Sequence, residues 1–253
     1  MTTDLGLSGK RVVISGAAGG LGRAFALAFA SAGSQVLACD LNLDGCNATV
    51  AAIMAKGGVA HAGHVDVTSA VSCHDLAARA ASAMGGDDVL VNNAAIYGGL
   101  ERRSFETIDE SVWDQVMSVN VKGVWQMCRA FSVPLRAAGG AIVNIASATV
   151  FSGSPQWMHY VASKGAVIAL SRTMAKEMGA DGVRVNVLAP GFTMTEASLN
   201  LIENARSYGV DRAALQRAAE VEDIVGGALM LASPLSGYMT GQTLVIDGGR
   251  QFI

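Results

Sequence analysis

Several features are scarce in this chain of 253 residues, and each scarcity excludes a class of protein. Charged residues make up only 15% and the net charge is −3, so the chain lacks a basic field for nucleic acid or an anionic membrane. No apolar run approaches the ~18 residues that a membrane span needs. Residues 1–10 lack the basic and then apolar pattern of a secretory signal. We therefore expect a cytoplasmic protein that binds neither nucleic acid nor a membrane.

Cysteine and histidine are equally sparse. The four cysteines stand at positions 39, 46, 73 and 128 without a Cys-x-x-Cys pair, which argues against a disulfide framework and a zinc site. His61 and His64 form an H-x-x-H pair, but the neighbouring sequence has no cysteine or carboxylate cluster to complete a metal site. We expect buried, reduced thiols and no bound metal.

What the chain has in abundance is small and apolar residues: 51% are hydrophobic and 30 are glycine. Short apolar runs, many of them β-branched, alternate with stretches of helical periodicity. The runs predict strands at 11–15, 35–39, 59–65, 89–92, 141–146, 183–188 and 243–246. The periodic stretches predict helices at 20–32, 43–55, 69–84, 111–137, 157–178 and 221–231.

This alternation is typical of right-handed βαβ crossovers. We predict an α/β fold: one Rossmann-like, doubly wound domain over 1–253, with a seven-stranded parallel sheet and helices on both faces. Ligands of such sheets bind beyond the carboxyl ends of the strands. The irregular stretches at about 97–108, 149–156 and 191–211 are therefore the expected substrate loops.

A glycine-rich turn, SGAAGGLG at 15–22, joins the first predicted strand to the first helix. Gly16, Gly20 and Gly22 allow a tight turn in which backbone N–H groups reach a pyrophosphate at the helix N-terminus. Asp40 ends the second strand, where a carboxylate binds the hydroxyls of an adenosine ribose and repels a 2′-phosphate. The pattern favours NAD over NADP.

Ser147, Tyr160 and Lys164 form the most specific constellation. Tyr160 and Lys164 are four residues apart on one helix face, and Ser147 ends the fifth strand. A free tyrosine has a pKa near 10 and is a poor base at neutral pH. A neighbouring ammonium and the positive charge of an oxidised nicotinamide are expected to lower that pKa.

With these residues in order, the sequence resembles the short-chain dehydrogenases/reductases over essentially its whole length. The matching segments are SGAAGGLG at 15–22, Asp66-Val67, NNAA at 92–95, Asn120 within SVNVKG, Ser147, YVASK at 160–164 and PGFTMT at 190–195. The resemblance implies an oxidoreductase that interconverts a secondary alcohol and a ketone. It also implies a homotetramer built on the helices around 111–137 and 157–178 and on C-terminal segments.

The resemblance assigns a role to each catalytic position. Tyr160 is the expected general acid/base, and Lys164 lowers its pKa and holds the nicotinamide ribose. Ser147 positions the substrate oxygen. Asn120 kinks its helix and holds a water that relays protons to Lys164.

It also implies the residues that contact NAD. Asp66 and Val67 are expected at the adenine, Asn93 at the adenosine ribose, and Thr193 and Thr195 at the nicotinamide or the phosphates. The remaining expected cofactor contacts are Gly16, Gly19, Gly20, Leu21, Gly22, Asp40, Leu41, Ala94, Pro190 and Gly191, together with Tyr160 and Lys164 themselves.

The substrate is expected to carry an apolar or aromatic substituent, because the predicted loops hold mostly such residues. The candidate substrate contacts are Tyr97, Thr149, Phe151, Gln156, Trp157, Phe192, Met194, Leu199 and Tyr208. The loop cations Arg102, Arg103 and Arg206 are expected to face solvent.

Other functions remain open on the sequence alone. An NADPH-dependent ketone or 3-oxoacyl reductase needs the same catalytic residues, although Asp40 argues against it. A dinucleotide-sensing protein with a relict site and an S-adenosylmethionine methyltransferase are further alternatives. Neither of these two needs intact Ser147, Tyr160 and Lys164.

Overall fold

The computed structural model describes residues 5–253. Residues 1–4 belong to the segment that lacks a signal pattern, and they lie outside the described residues. Within 5–253, none of the helices combines the length and the apolar character that crossing a membrane requires.

One parallel sheet organises the described part of the chain, and its seven strands follow the order β3-β2-β1-β4-β5-β6-β7. This arrangement confirms the predicted α/β doubly wound fold. The strands are β1 Arg11–Ser15, β2 Gln35–Asp40, β3 Val59–His64, β4 Val89–Asn92, β5 Ala141–Ile145, β6 Arg184–Pro190 and β7 Thr243–Ile246.

The strands are apolar runs because helices cover both faces of the sheet. Every residue of β4 and β5 is buried. On one face the core contains Phe25 and Phe29, and on the other it contains Phe131 and Leu135. Two hydrophobic layers therefore hold the sheet rigid beneath the loops.

Helices lie close to their predicted bounds, with the expected differences of one or two residues at their ends. They are α1 Gly20–Ser31, α2 Leu43–Met54, α3 Ala70–Met84, α4 Glu110–Met117, α5 Gly123–Ala138, α6 Thr149–Ser152, α7 Met158–Met178, α8 Glu196–Leu201 and α9 Val221–Ala232. The short helices α6 and α8 fall inside segments that were predicted to be irregular.

The helix predicted over 111–137 is present, and its α-helical geometry is interrupted at Asn120, where the family resemblance implies a kink. A π-helical segment, Ser118–Lys122, separates α4 from α5 and contains Asn120. The side chain of Asn120 bonds both backbone groups of Ile96, so the helix is tied to a neighbouring loop at the irregular turn. Such π-bulges are frequent at functional sites.

The large apolar residues of this helix are mostly covered by the chain itself. Val116, Val124 and Met127 are buried in the described structure, whereas Trp125 remains 48% exposed. The helix packs this face against the sheet and α7, so a partner subunit is not needed to cover it. The homotetramer stays a prediction from the family resemblance.

Candidate active site

The site lies where the strand order reverses. The chain leaves β1 toward β2 on one side, whereas β4, β5 and β6 continue on the other side. A crevice opens at such a point beyond the carboxyl ends of the strands. A cavity of about 490 Å³ occupies this position, and residues at the ends of β4, β5 and β6 and at the start of α1 line it.

The glycine turn is built by close backbone approaches. Gly16 has a φ of +69°, and a Cβ on it would lie 2.7 Å from Nδ2 of Asn93 and 2.8 Å from Cα of Ala94. A Cβ on Gly22 would lie 2.0 Å from the carbonyl oxygen of Gly16. Asn93 Nδ2 donates to the carbonyl oxygens of Ser15 and Gly16 at 3.2 and 3.1 Å. Both glycines are therefore required by packing inside the protein.

Gly19 differs from these two glycines, because a Cβ on it would meet no described atom within 4 Å. It precedes α1 without a capping side chain among the described residues, and the first turn of α1 holds no acidic residue. Gly19, Gly20 and Leu21 line the cavity. A helix N-terminus of this kind fits the pyrophosphate of a dinucleotide.

Asp40 ends β2 beside the glycine turn. Its Oδ2 accepts a hydrogen bond from the backbone N–H of Ala18 at 3.3 Å, and Oδ1 accepts one from Asn42 at 2.9 Å. None of the ion pairs formed within residues 5–253 involves Asp40. The carboxylate is therefore held in place without a neutralising cation, as ribose binding requires.

The predicted adenine contacts follow the neighbouring strand. Asp66 Oδ1 accepts hydrogen bonds from N–H and Oγ1 of Thr68 at 2.9 and 2.7 Å, which fixes the turn after β3. Val67 is buried against Gly123 of α5. Asp40, the exposed Leu41, Asp66 and Val67 share one edge of the sheet but do not line the 490 Å³ cavity.

Ser147, Tyr160 and Lys164 all line that cavity. They are 8%, 6% and 4% exposed, so the chemistry would proceed in a largely dehydrated setting. Lys164 Nζ donates to the carbonyl oxygen of Ile145 at 2.8 Å and lies 5.7 Å from the centroid of the Tyr160 ring. Ser147 Oγ accepts hydrogen bonds from N–H and Oγ1 of Thr149 at 3.2 and 2.9 Å.

Burial dominates the pKa values of this group. It raises the pKa of Tyr160, which Tyr97 raises further and a hydrogen bond with Ser147 lowers. It lowers the pKa of Lys164 to about 8. Lys164 is not among the groups that shift this pKa, so burial sets the direction of the shift in the protein alone.

Asn120 supports the site from behind and does not line the cavity. Its Oδ1 accepts from the N–H of Ile96 at 2.7 Å, and its Nδ2 donates to Ile96 O at 3.2 Å and Ser163 Oγ at 3.1 Å. Ser163 precedes Lys164 in α7, so Asn120 connects the loop after β4 to the catalytic helix. The predicted proton relay through a water stays a prediction.

The loop after β6 supplies the expected nicotinamide contacts. Pro190, Gly191, Thr193 and Thr195 line the cavity, whereas Ala94 does not. Thr193 Oγ1 donates to the carbonyl oxygen of Gly191 at 3.1 Å. Thr195 caps α8 by accepting from the N–H of Ser198 at 3.2 Å. These hydroxyls are thus fixed beside the glycine turn, since a Cβ on Gly20 would lie 3.7 Å from Cβ of Thr195.

The candidate substrate contacts divide into two groups. Tyr97, Thr149, Trp157, Phe192 and Tyr208 line the cavity. The rings of Tyr97, Trp157 and Tyr160 form one cluster with centroids 5.2–5.6 Å apart.

Four candidates lie elsewhere. Met194 lines only a neighbouring cavity of about 190 Å³, which shares Gly191, Phe192, Tyr208 and Arg250 with the main cavity. Phe151 packs against the hydrophobic core. Leu199 is 45% exposed, and Gln156, also exposed, lies at a turn with a φ of +65°.

Arg102 is exposed, as predicted, but its side chain also contacts aromatic residues of the cavity. Its guanidinium lies 5.0 Å from the centroid of the Trp157 ring and donates to the Tyr208 hydroxyl at 3.0 Å, and Arg102 lines the cavity. Arg103 and Arg206 are exposed and pair with surface carboxylates, as expected. Arg250 and Gln251 also line the cavity, and no sequence motif marks them.

Metal ligands are not assembled at this site. Within the part of the chain that the structure describes, no group of three or more His, Cys, Asp or Glu side chains could hold a metal ion. The four cysteines are buried and free.

Comparisons with known proteins agree on one family. The sequence profile of a family described as enoyl-(acyl carrier protein) reductase matches residues 16–251. A 3-oxoacyl-(acyl-carrier-protein) reductase of Thermotoga maritima is 36% identical over 96% of this chain and 98% of that protein. A galactitol 2-dehydrogenase (L-tagatose-forming) of Cereibacter sphaeroides is 38% identical over 96% and 95%.

A solved structure gives the same answer for the fold. The crystal structure of a short-chain type dehydrogenase/reductase from Mycobacterium marinum superposes with a TM-score of 0.91 and 30% identity, covering 98% of each chain. The fold, the cavity and the full-length relatives together place this chain in the short-chain dehydrogenase/reductase family.

Proposed function

We propose that the protein is an NAD(H)-dependent oxidoreductase that interconverts a secondary alcohol and a ketone. The observation that carries the proposal is the convergence of Ser147, Tyr160 and Lys164 on one cavity that also reaches the glycine turn at Gly19. Tyr160 and the expected nicotinamide contacts Thr193 and Thr195 line the same cavity, as hydride and proton transfer at one carbon require.

Each catalytic residue has a distinct part in the proposed oxidation. The bound nicotinamide supplies the acceptor for the hydride that leaves the carbinol carbon. Tyr160 accepts the hydroxyl proton, and Ser147 Oγ, oriented by Thr149, holds the same oxygen. Lys164, buried and bonded to Ile145, keeps a positive charge beside the Tyr160 ring and stabilises its anion.

The walls of the cavity favour a substrate with an apolar or aromatic body. Tyr97 and Trp157 pack around Tyr160, and Phe192 packs on Tyr208 with ring centroids 4.8 Å apart. Aromatic walls bind apolar surfaces by burial and bind planar groups by stacking.

The first test is a screen for NADH formation with secondary alcohols. The panel should include aryl alcohols, polyols and hydroxysteroids, and Tyr160→Phe serves as the inactive control for background reduction. We expect saturable, Tyr160-dependent NADH formation with at least one alcohol, faster for alcohols with an apolar substituent. Absence of NADH formation with every alcohol, combined with NADPH oxidation by ketones, would contradict the proposal.

A ketone or 3-oxoacyl reductase that uses NADPH is the second candidate. The observation in its favour is the relative from Thermotoga maritima, which covers nearly the whole chain. An assay of NADPH oxidation with an acetoacetyl thioester distinguishes the two candidates, because a rate above that of NAD-dependent alcohol oxidation would select the reductase.

Cofactor choice is predicted to follow Asp40. Its carboxylate stands beside the glycine turn without a paired cation and would repel a 2′-phosphate. We expect kcat/KM to be higher with NAD than with NADP by about tenfold or more, as one charge repulsion and one lost hydrogen bond imply. Asp40→Ala should reduce this difference in kcat/KM, chiefly because it weakens the binding of NAD.

The matched control is Asp44→Ala, which removes an exposed carboxylate in the first turn of α2. This variant should keep the wild-type ratio of kcat/KM for the two cofactors. Equal use of NAD and NADP by the wild-type protein would show that Asp40 does not select the cofactor.

A further inference from the structure

Tyr208 is surrounded by guanidinium groups at the edge of the main cavity. The Cζ atoms of Arg102, Arg212 and Arg250 lie 5.4, 5.7 and 5.7 Å from the centroid of its ring. Arg102 and Arg250 line the cavity together with Tyr208, whereas Arg212 does not. Arg102 comes from the loop after β4 and Arg250 from the segment after β7, so the fold brings two distant segments together here.

These two cationic side chains are not neutralised. Within residues 5–253, neither Arg102 nor Arg250 takes part in an ion pair, whereas Arg103, Arg206 and Arg212 each do. Cations that line the cavity are Arg102, Lys164 and Arg250, and the acidic residue among its described lining is Glu196. The cavity therefore carries an excess of positive charge, although the net charge of the chain is −3.

Neighbouring groups orient these guanidiniums. Arg102 Nη2 donates to the Tyr208 hydroxyl at 3.0 Å and lies over Trp157. A Cβ on Gly209, whose φ is +73°, would lie 2.7 Å from Nη1 of Arg250, so this glycine lets the arginine approach. Asp247 Oδ1 accepts from the backbone N–H of Arg250 at 3.0 Å and fixes the start of its segment.

The electrostatics of Tyr208 agree with this charge excess. Burial raises the pKa of Tyr208, but its hydrogen bond to Arg102 and the charges of Arg102 and Arg250 outweigh burial and lower that pKa. Positive charges crowded around one phenol repel one another, and an anion placed between them would relieve this repulsion.

The Trp157 ring lies between Arg102 and the Tyr160 ring. Arg102 lies over the Trp157 ring, whose centroid is 5.2 Å from that of Tyr160. A ligand held at the arginines would thus extend past Trp157 to reach the tyrosine that handles the proton. Guanidinium groups bind carboxylate and phosphate oxygens through paired, charge-assisted hydrogen bonds.

We propose that Arg102 and Arg250, together with the Tyr208 hydroxyl, form an anion subsite of the substrate cavity. The substrate then has an apolar or aromatic body with the reacting carbinol or carbonyl at one end and a carboxylate or phosphate at the other. This inference rests on the proposed function for its reacting end, but anion binding itself does not depend on turnover.

The first experiment measures binding without a reaction. The probes are benzoate, phenylacetate, 4-phenylbutyrate and phenyl phosphate, each compared with a neutral counterpart such as benzamide, phenylacetamide, 4-phenylbutyramide or phenol. Titration calorimetry at low ionic strength gives the Kd values in the presence of NAD. We expect at least one anion to bind about tenfold or more tightly than its neutral counterpart, because a charge-assisted hydrogen bond contributes that much.

Charge-removing variants assign the site. Arg102→Gln and Arg250→Gln should each remove most of the anion preference, and the better of the carboxylate or phosphate probes identifies the anion. Arg103→Gln is the matched control, since Arg103 is adjacent in sequence but pairs with Glu101 on the surface. Far-UV circular dichroism and the Tm confirm that each variant is folded. Equal binding of charged and neutral probes, or equal loss in the Arg103 control, would overturn the subsite.

The last experiment measures the Kd for NAD in the same variants. If the Kd for NAD rises in the Arg102 and Arg250 variants while the anion preference stays, these arginines serve the phosphates of the cofactor and the proposal is wrong. Turnover is then compared for hydroxy acids and their methyl esters, and a higher kcat/KM for the acid is expected. Anion binding without oxidation of any alcohol would count against the proposed function alone.

Discussion

Replacement of Tyr160 by phenylalanine is expected to lower kcat for alcohol oxidation by about 10² or more, the range of general acid–base catalysis. The substitution removes the hydroxyl that takes the proton and keeps the ring that packs against Tyr97 and Trp157. Because the ring remains, the Tm and the Kd for NAD should stay close to the wild-type values. Steady-state kinetics with a good substrate, together with titration calorimetry of NAD, measure both effects.

Tyr97→Phe is the matched control for this prediction. It removes a second phenol hydroxyl from the same aromatic cluster, where Tyr97 contacts Ser198 at 3.4 Å. It should cost far less in kcat than Tyr160→Phe. If Tyr160→Phe keeps more than about a tenth of wild-type kcat while chemistry is rate-limiting, the proton leaves by another route and the assignment is wrong.

The pH dependence of alcohol oxidation distinguishes the effect of the protein on the Tyr160 pKa from the effect of the bound cofactor. In the protein alone, burial raises the pKa of Tyr160, so the phenol is protonated throughout the neutral range. Oxidation needs the deprotonated phenol, and kcat should therefore rise with pH through one ionisation.

Bound oxidised cofactor should move that ionisation below the value near 10 of a free tyrosine. Ultraviolet titration of tyrosinate in wild-type and Tyr160→Phe proteins, with and without NAD, locates this pKa in each state. An ionisation that does not move when NAD binds would show that the nicotinamide charge does not act on Tyr160.

The sheet and most helices are predictable because their residues repeat one local pattern. β1, β4 and β7 have their predicted bounds, since each is an apolar run between polar turn residues; β1 and β4 are largely buried and the edge strand β7 is half-buried. The π-helical turn at Asn120 leaves no comparable periodicity, and only the family resemblance implies a kink there. It depends on a hydrogen bond to Ile96, which is distant in sequence.

The site also contains residues that the sequence predicts and residues that it does not. Ser147, Tyr160 and Lys164 are predictable because their spacing on a strand end and a helix has one geometric outcome. Three of the seven strands lie between Arg102 and Arg250 in the sequence, so their meeting at Tyr208 depends on tertiary packing alone. Phe192 and Met194 look equivalent in sequence, yet the backbone of their loop directs only Phe192 into the main cavity.

The glycine turn gives a second prediction with a large effect. Gly22→Ala should lower the stability of the fold, whereas Gly19→Ala should lower the affinity for NAD. A Cβ on Gly22 would lie 2.0 Å from the carbonyl oxygen of Gly16 and 2.6 Å from Nδ2 of Asn93. Backbone and a bonded side chain cannot both move away, so Gly22→Ala should destabilise the fold by about 1–3 kcal/mol or more, as overpacked cores do. A lower midpoint of chemical denaturation measures this loss.

Gly19→Ala should behave in the reverse manner. A Cβ there meets no described atom within 4 Å, and the φ of −164° is extended backbone that alanine adopts freely. The Tm should therefore be unchanged, while the Kd for NAD rises by about tenfold or more, because the methyl group occupies the space where a pyrophosphate would meet the N-terminus of α1. Titration calorimetry of NAD against both variants tests the pair. If Gly19→Ala binds NAD as tightly as the wild type, the pyrophosphate does not lie over this turn, and the placement of the cofactor in the cavity loses its structural basis.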